Sequence, residues 1–225
     1  MFDYEERLVL FVDILGFKNM IKSKDKTQHN NVIKAMEAIL KMNIAIGKGM
    51  ELGNRNSIRV TILSDSVCCS INSDDFDNQA QLIILLNSAC AFQGFLLERG
   101  ILSRGAICIG DFYHSEKILF GEALVDSYVL ETTKAIYPRI IIDKKNLDYM
   151  IEKSSLTQKI ITSLFKLDED GYYYMNYLNF CKINSVAITD FMSMYKLILI
   201  NKDLISNERI KNKYEWLISK IEEII

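Results

Sequence analysis

The sequence predicts an α+β fold: a mostly antiparallel sheet with helices packed on it. Three observations carry that expectation. Short apolar runs rich in Val and Phe or Ile, such as LVLFV at 8–12, alternate with longer stretches of helical character, such as DNQAQLIILLNSACAFQGFLLERG at 77–100. Two pairs of strand-like runs lie close enough in the chain to form hairpins, RVTILSD with SVCCSI and the two halves of ILSRGAICIGDFYHS. Finally, no linker, repeat or low-complexity segment interrupts the 225 residues, whose 49% hydrophobic content is ample for a core. One large domain, or one domain with a helical appendage, fits that length.

The first strand, at 7–13, reads as buried on both faces. It ends in Asp13, a carboxylate that is costly in an apolar setting unless something pairs with it. Gly16 marks a tight turn just beyond. Two readings stay open from these residues alone: an acid that holds a ligand, or an Asp that caps the next helix. Helical segments follow to about residue 46, then a loop around Gly47–Asn56, then the first strand pair. In that pair Asp65 repeats the pattern of Asp13, an acid at the end of a β-branched run. Two such carboxylates on neighbouring strands suit hard divalent ions, which take oxygen ligands.

A long helix at roughly 74–98 has an acidic start and exits at Gly100. Gly110-Asp111 is the expected turn of the second hairpin. FGEALVDSYVLETTKAI reads as a helix, PRIIID as a strand opened by Pro138, and DGYYYMNYLNF as a strand after an Asp-Gly turn. The last 40 residues read as helical and end in the amphipathic NERIKNKYEWLISKIEEII. The expected division is a sheet domain at 1–180 and a helical extension at 181–225 packed on the same domain.

A net charge of −2 and a pI near 5.8 argue against a nucleic-acid surface. Five cysteines without a C-x-x-C spacing read as buried free thiols in a reducing compartment. The acidic start MFDYEERLVL lacks the marks of a secretory signal, and no apolar run reads as a bilayer span. A cytoplasmic protein without direct membrane contact is the expectation. His29 and His114 have no ligand-spaced partner, which argues against a zinc hydrolase, and Tyr172–Tyr174 reads as strand packing.

FVDILGF resembles the first metal-binding motif of the class III nucleotidyl cyclases, typically F-x-D-I-x-G-F, and ILSDSV is similar to their second. SRGAICIGD resembles their Arg-x-Gly-x-x-x-Gly strand, and FGEALVDSYVLE their G-x-x-V-N-x-A-x-R-L-E helix. The four motifs occur in the family's order across residues 7 to about 143. The resemblance implies a ferredoxin-like cyclase fold and two-metal conversion of a nucleoside triphosphate to a 3′,5′-cyclic monophosphate. Position by position, it implies that Asp13, Asp65 and the Ile14 carbonyl hold two Mn²⁺ or Mg²⁺ ions and that Arg104 contacts the triphosphate. The Ile14–Lys18 turn would cradle phosphates, with Phe11, Leu15, Gly16, Phe17 and Lys18 among the substrate-binding residues. It also implies a homodimer with shared sites, in which Thr61 and Tyr128 of one subunit face Asp13, Asp65 and Arg104 of the other.

The departures concern the base and the transition state. Adenylate cyclases carry a Lys and an Asp where this chain has Thr61 and Ile118, and the helix Asn and Arg align with Val125 and Val129. Tyr128 stands next to the lost arginine; a place in the vacated space and a core-packing role both remain open. SDS at the second acid, the G-x-A-L-x-x-x-Y-x-L-E helix and AIYPRIIID together resemble the pyrimidine cyclases of the bacterial anti-phage system Pycsar. That likeness implies a UTP or CTP substrate and a cyclic product acting on a separate effector. That branch has a Tyr or Arg four residues ahead of its pocket Thr or His; here the place holds Ser57, flanked by Arg55 and Arg59. Three alternatives remain: a catalytically degenerate cyclase-homology domain, a diguanylate-cyclase-like enzyme, whose Gly-Gly-Asp/Glu-Glu-Phe hairpin Ile109–Phe112 does not supply, and an interaction module built on the C-terminal helices.

Overall fold

The computed structural model of the chain describes residues 4–50, 58–77, 79–184 and 190–225. β1 (Glu5–Ile14) leads through the short α1 (Phe17–Lys22) and long α2 (Lys26–Met50) to the hairpin β2 (Arg59–Leu63) and β3 (Ser66–Asn72). A 3₁₀ turn at Ser73–Asp75 precedes α3 (Gln79–Leu97), and β4 (Ser103–His114) follows. These four strands lie in the order β2-β3-β1-β4, the split β-α-β arrangement of ferredoxin-like folds. All their pairings are antiparallel, with Asp13 opposite Ser66 on β3 and opposite Arg104 on β4.

After β4 come β5 (Leu119–Gly121), α4 (Glu122–Lys134), β6 (Ile140–Ile142), α5 (Lys144–Ser154), α6 (Gln158–Leu164), β7 (Phe165–Leu167) and β8 (Tyr173–Met175). They extend the sheet to eight strands among the described residues, and β4 with β6 is its parallel pairing. α7 (Tyr177–Ile183), α8 (Phe191–Asp203) and α9 (Glu208–Glu222) complete the chain. α7 runs through position 181.

Alternation along β1 sorts its side chains between two faces. Leu8, Leu10, Val12 and Ile14 enter the main core with residues of α2 and α3. Val9 and Phe11 face the other way, joining Cys68, Phe112 and Ala123 of α4 in a smaller cluster. Arg7 and Asp13 share this second face by the same parity. At Gly105 β4 comes close to β1: a Cβ there would sit 2.4 Å from the Phe11 carbonyl oxygen.

Several local expectations change. β4 runs straight through Gly110-Asp111, because Glu6 and Arg7 of β1 pair with those residues; the turn comes later, at 115–118, before β5. The strand expected over DGYYYMNYLNF is only Tyr173–Met175, and α7 takes the rest. α2 carries on through Gly47 to Met50, and 51–56 of the expected loop lie outside the described residues. The acids expected in the first turn of α3 sit in the 3₁₀ turn before it. α5, α6 and β7 had no clear sequence signal. α3 itself is long and apolar enough to cross a membrane by length and composition, contrary to the sequence reading. It is a core helix with Leu82, Leu85, Leu86 and Ala89 fully buried. All five cysteines are free and buried as expected.

Candidate active site

The strand ends carrying Asp13 and Asp65 converge. Ile14 N–H donates to the Asp65 carbonyl at 3.2 Å, holding the β2–β3 turn against the end of β1. Asp13 is part-buried and accepts a hydrogen bond from Ser66 Oγ at 3.0 Å. Burial raises its carboxyl above the ordinary carboxylate range, and Asp65 adds to the rise, while Ser66 and Arg104 oppose it. No ion pair to either acid occurs among the described residues. The two strand-end acids offer oxygen ligands of the kind a hard divalent cation takes, but no group of three or more His, Cys, Asp or Glu side chains that could hold a metal ion occurs among the described residues. Beyond the two acids Gly16 adopts φ +80°, which a residue without Cβ tolerates, and opens α1. Phe17 is buried in the core, Leu15 is part-buried, and Lys18 is exposed.

Arg104 stands across from Asp13 on β4 but is engaged elsewhere. Its Nε is ion-paired with Glu131 of α4, and Nη1 lies 3.5 Å from the Ala135 carbonyl. Glu131 is buried, and desolvation pushes its carboxyl up to about 7 despite the guanidinium beside it. Lys213 of α9 comes close enough for Arg104 to lower its pKa, after a larger effect of burial, and it donates to the Ile136 carbonyl. Neither Glu131 nor Lys213 stood out in the sequence. Glu131 was the last residue of the quoted helix pattern, and its buried position one turn beyond Ser127 was the available signal.

α4 turns Ala123, Ser127 and Glu131 inward and leaves Val125, Tyr128 and Val129 exposed. The Tyr128 ring rests edge-on against Phe11, with centroids 5.9 Å apart, so it lies above the face that carries Asp13. Ile118 is exposed on the turn before β5. Thr61 on the edge strand β2 meets a residue that sequence reasoning passed over: its Oγ1 is 2.8 Å from His114 Nε2. The other imidazole nitrogen lies 2.8 Å from Ser70 Oγ, which accepts from Arg7 Nε. Next to His114 a cavity of about 330 Å³ is lined by Arg59, Val60 and Glu116, among others. Arg55 and Ser57 lie outside the described residues.

No protein-family model matches the chain, and no curated protein sequence matches it. Among solved structures it is similar to a bacterial light-regulated adenylyl cyclase, at 14% identity and a TM-score of 0.47, over 88% of this chain and 57% of that one. It is also similar to the monomeric guanylyl cyclase domain of the RhoGC fusion protein from the aquatic fungus Blastocladiella emersonii, at 15% identity and a TM-score of 0.43, over 76% of this chain and 95% of that one. A class III adenylyl cyclase-like ATP-binding protein from Pseudomonas aeruginosa matches at 7% identity and a TM-score of 0.43, over 96% of this chain and 44% of that one. The chain thus spans a little over half the length of the first of these.

Proposed function

We propose that the chain is a nucleotidyl cyclase that converts a pyrimidine nucleoside triphosphate, UTP or CTP, to its 3′,5′-cyclic monophosphate and diphosphate. The observation that carries this reading is the convergence of Asp13 and Asp65 beside a glycine turn, with Arg104 on the adjoining strand. It accords with the four motifs in class III order. Asp13, Asp65 and the Ile14 carbonyl would hold two Mn²⁺ or Mg²⁺ ions, and the Ile14–Lys18 turn would lie along the phosphates. Ions bound there would stabilise charge on both the attacking 3′ oxygen and the departing diphosphate.

Arg104 supplies a fork of donors suited to phosphate oxygens once it leaves or shares Glu131. Thr61, a neutral hydroxyl, replaces the ammonium of purine cyclases, and the exposed Val125, Tyr128 and Val129 form a face for a second copy of the chain. In that homodimer each site draws Asp13, Asp65 and Arg104 from one subunit and Thr61 and Tyr128 from the other. The product would act on a separate cyclic-nucleotide-sensing effector, with anti-phage defence as the role suggested by the Pycsar likeness.

Incubating the pure protein with each of the four ribonucleoside triphosphates and Mn²⁺, and identifying the products, tests the reading. Cyclic UMP or cyclic CMP is expected, and ATP as the preferred substrate in a four-way competition would overturn it. A second reading is favoured by the engagement of Arg104 with Glu131 and by apolar residues at the two helix positions of the lost Asn and Arg: a domain that binds nucleotide without turnover. Mn²⁺-dependent thermal stabilisation by UTP or CTP without product would single it out.

A further inference from the structure

Arg7, Ser70, His114 and Thr61 form one hydrogen-bonded chain on the second face of the sheet, and chemistry fixes its direction. A guanidinium only donates, so Arg7 Nε, 2.8 Å from Ser70 Oγ, makes that oxygen an acceptor. Ser70 is fully buried, and its own proton needs an acceptor. His114 Nδ1 lies 2.8 Å away and provides it. The imidazole is neutral near pH 7, since burial and the charges of Arg7 and Arg59 push its pKa down to about 4. With Nδ1 accepting, the single ring proton sits on Nε2 and is donated to Thr61 Oγ1 at 2.8 Å. The hydroxyl proton of Thr61 is then not engaged by His114.

We propose that His114 holds Thr61 as a hydrogen-bond donor toward the substrate base, and that this selects uracil over cytosine. The two pyrimidines differ at ring position 4, where uracil carries a carbonyl acceptor and cytosine an amino donor. A donor facing a carbonyl completes the chain that begins at Arg7. Facing an amino group, the Thr61 oxygen can accept only on its second lone pair, and its own proton is then left without the partner that uracil supplies. The inference rests on the reading of Thr61 as a base-facing residue of a nucleotide site, and it narrows UTP or CTP to UTP.

The test uses 3′-deoxy-UTP and 3′-deoxy-CTP, which lack the attacking hydroxyl and therefore report base recognition without turnover. With Mn²⁺ present, calorimetry should find 3′-deoxy-UTP bound about tenfold more tightly, the worth of one hydrogen bond. Thr61→Val, which keeps the side-chain shape and suits an edge strand, should bring the two affinities within about twofold of each other. Nitrogen-15 spectra of the unliganded protein should find Nδ1 of His114 unprotonated and Nε2 protonated. Equal binding, tighter binding of the cytidine analogue, an unchanged ratio in Thr61→Val, or a proton on Nδ1 would each overturn the inference and leave the nucleotide site standing. Failure of both analogues to bind would overturn the site and the inference together.

Discussion

Asp13 is held where its charge is disfavoured: part-buried, close to Asp65, and without an ion-pair partner among the described residues. A carboxyl raised above its unfolded value costs stability once the pH exceeds that unfolded value. In metal-free protein Asp13→Asn should therefore raise the Tm at neutral pH, and the gain should vanish below about pH 4. Melting curves from pH 3 to 8 check this. Asp13→Ala and Asp65→Ala should each abolish product while leaving the circular dichroism spectrum unchanged, because neither acid alone can hold the ion pair that the proposed chemistry needs. His114 has the opposite sign. Its folded pKa is depressed by burial and by Arg7 and Arg59, so the unfolded state binds the proton more readily. Its contribution to stability is lost as the pH falls from about 6.5 toward 4, and His114→Gln should flatten the acid side of the stability profile. Asp13 and Asp65 were legible because an acid breaks an apolar strand pattern. His114 was not, because its partners Thr61 and Ser70 come from strands far away in the chain.

At the scale of elements, two contacts tie helices to the sheet. β4 and α4 are tied by the Arg104–Glu131 pair, and removing the arginine leaves a buried carboxyl that takes up a proton, since burial already holds it at about 7. Arg104→Ala should therefore destabilise the fold by less than the ~3 kcal/mol of a stranded buried charge at pH 6, and by more at pH 9, whereas Arg104→Met combined with Glu131→Leu should show no such pH dependence; urea titration of both at the two pH values separates the outcomes. α9 is tied to the β6–β8 end of the sheet by Trp216. Its ring stacks on Tyr137 at 5.4 Å between centroids, and its Nε1 donates to Asp168 Oδ2 at 2.8 Å. The same carboxylate is paired with the fully buried Arg139 and with Lys220 of α9. Trp216→Ala should cost about 3–5 kcal/mol, visible as a lower urea midpoint. The amphipathic pattern of 207–222 revealed that this helix exists and which side is apolar. Which strands it covers depends on Arg139 and Asp168, and no local pattern links those residues to it.

For the whole molecule the decisive prediction concerns assembly. If each site is shared, mixing inactive Asp13→Ala protein with inactive Tyr128→Ala protein should restore activity, because a mixed dimer rebuilds one intact site. With free subunit exchange half the dimers are mixed, each with one working site, so activity should approach about a quarter of wild type. No recovery despite measured exchange would argue for a site contained in one chain. The Tyr128–Phe11 contact within a single chain gives that outcome a physical basis. The wide exposure of Val125, Tyr128 and Val129 on α4 instead favours a covered face.

The sequence by itself determined what depends on neighbours in the chain. Periodicity announced β1, the β2–β3 hairpin, α3, α4 and α9, since a buried strand and an amphipathic helix each write their burial into local order. It marked Asp13, Gly16 and Asp65 as the places where that order breaks. Tertiary structure alone decided what depends on partners across the sheet. β4 continues through Gly110-Asp111 because β1 lies alongside to pair with it, and a turn-forming dipeptide yields to a ladder of backbone hydrogen bonds. Arg104, read as free to meet phosphate, is engaged by Glu131 because α4 folds back over β4. The direction of the Arg7–Ser70–His114–Thr61 chain arises only when β1, β3, β4 and β2 lie side by side, since a hydrogen bond has a donor and an acceptor only once both ends are in reach.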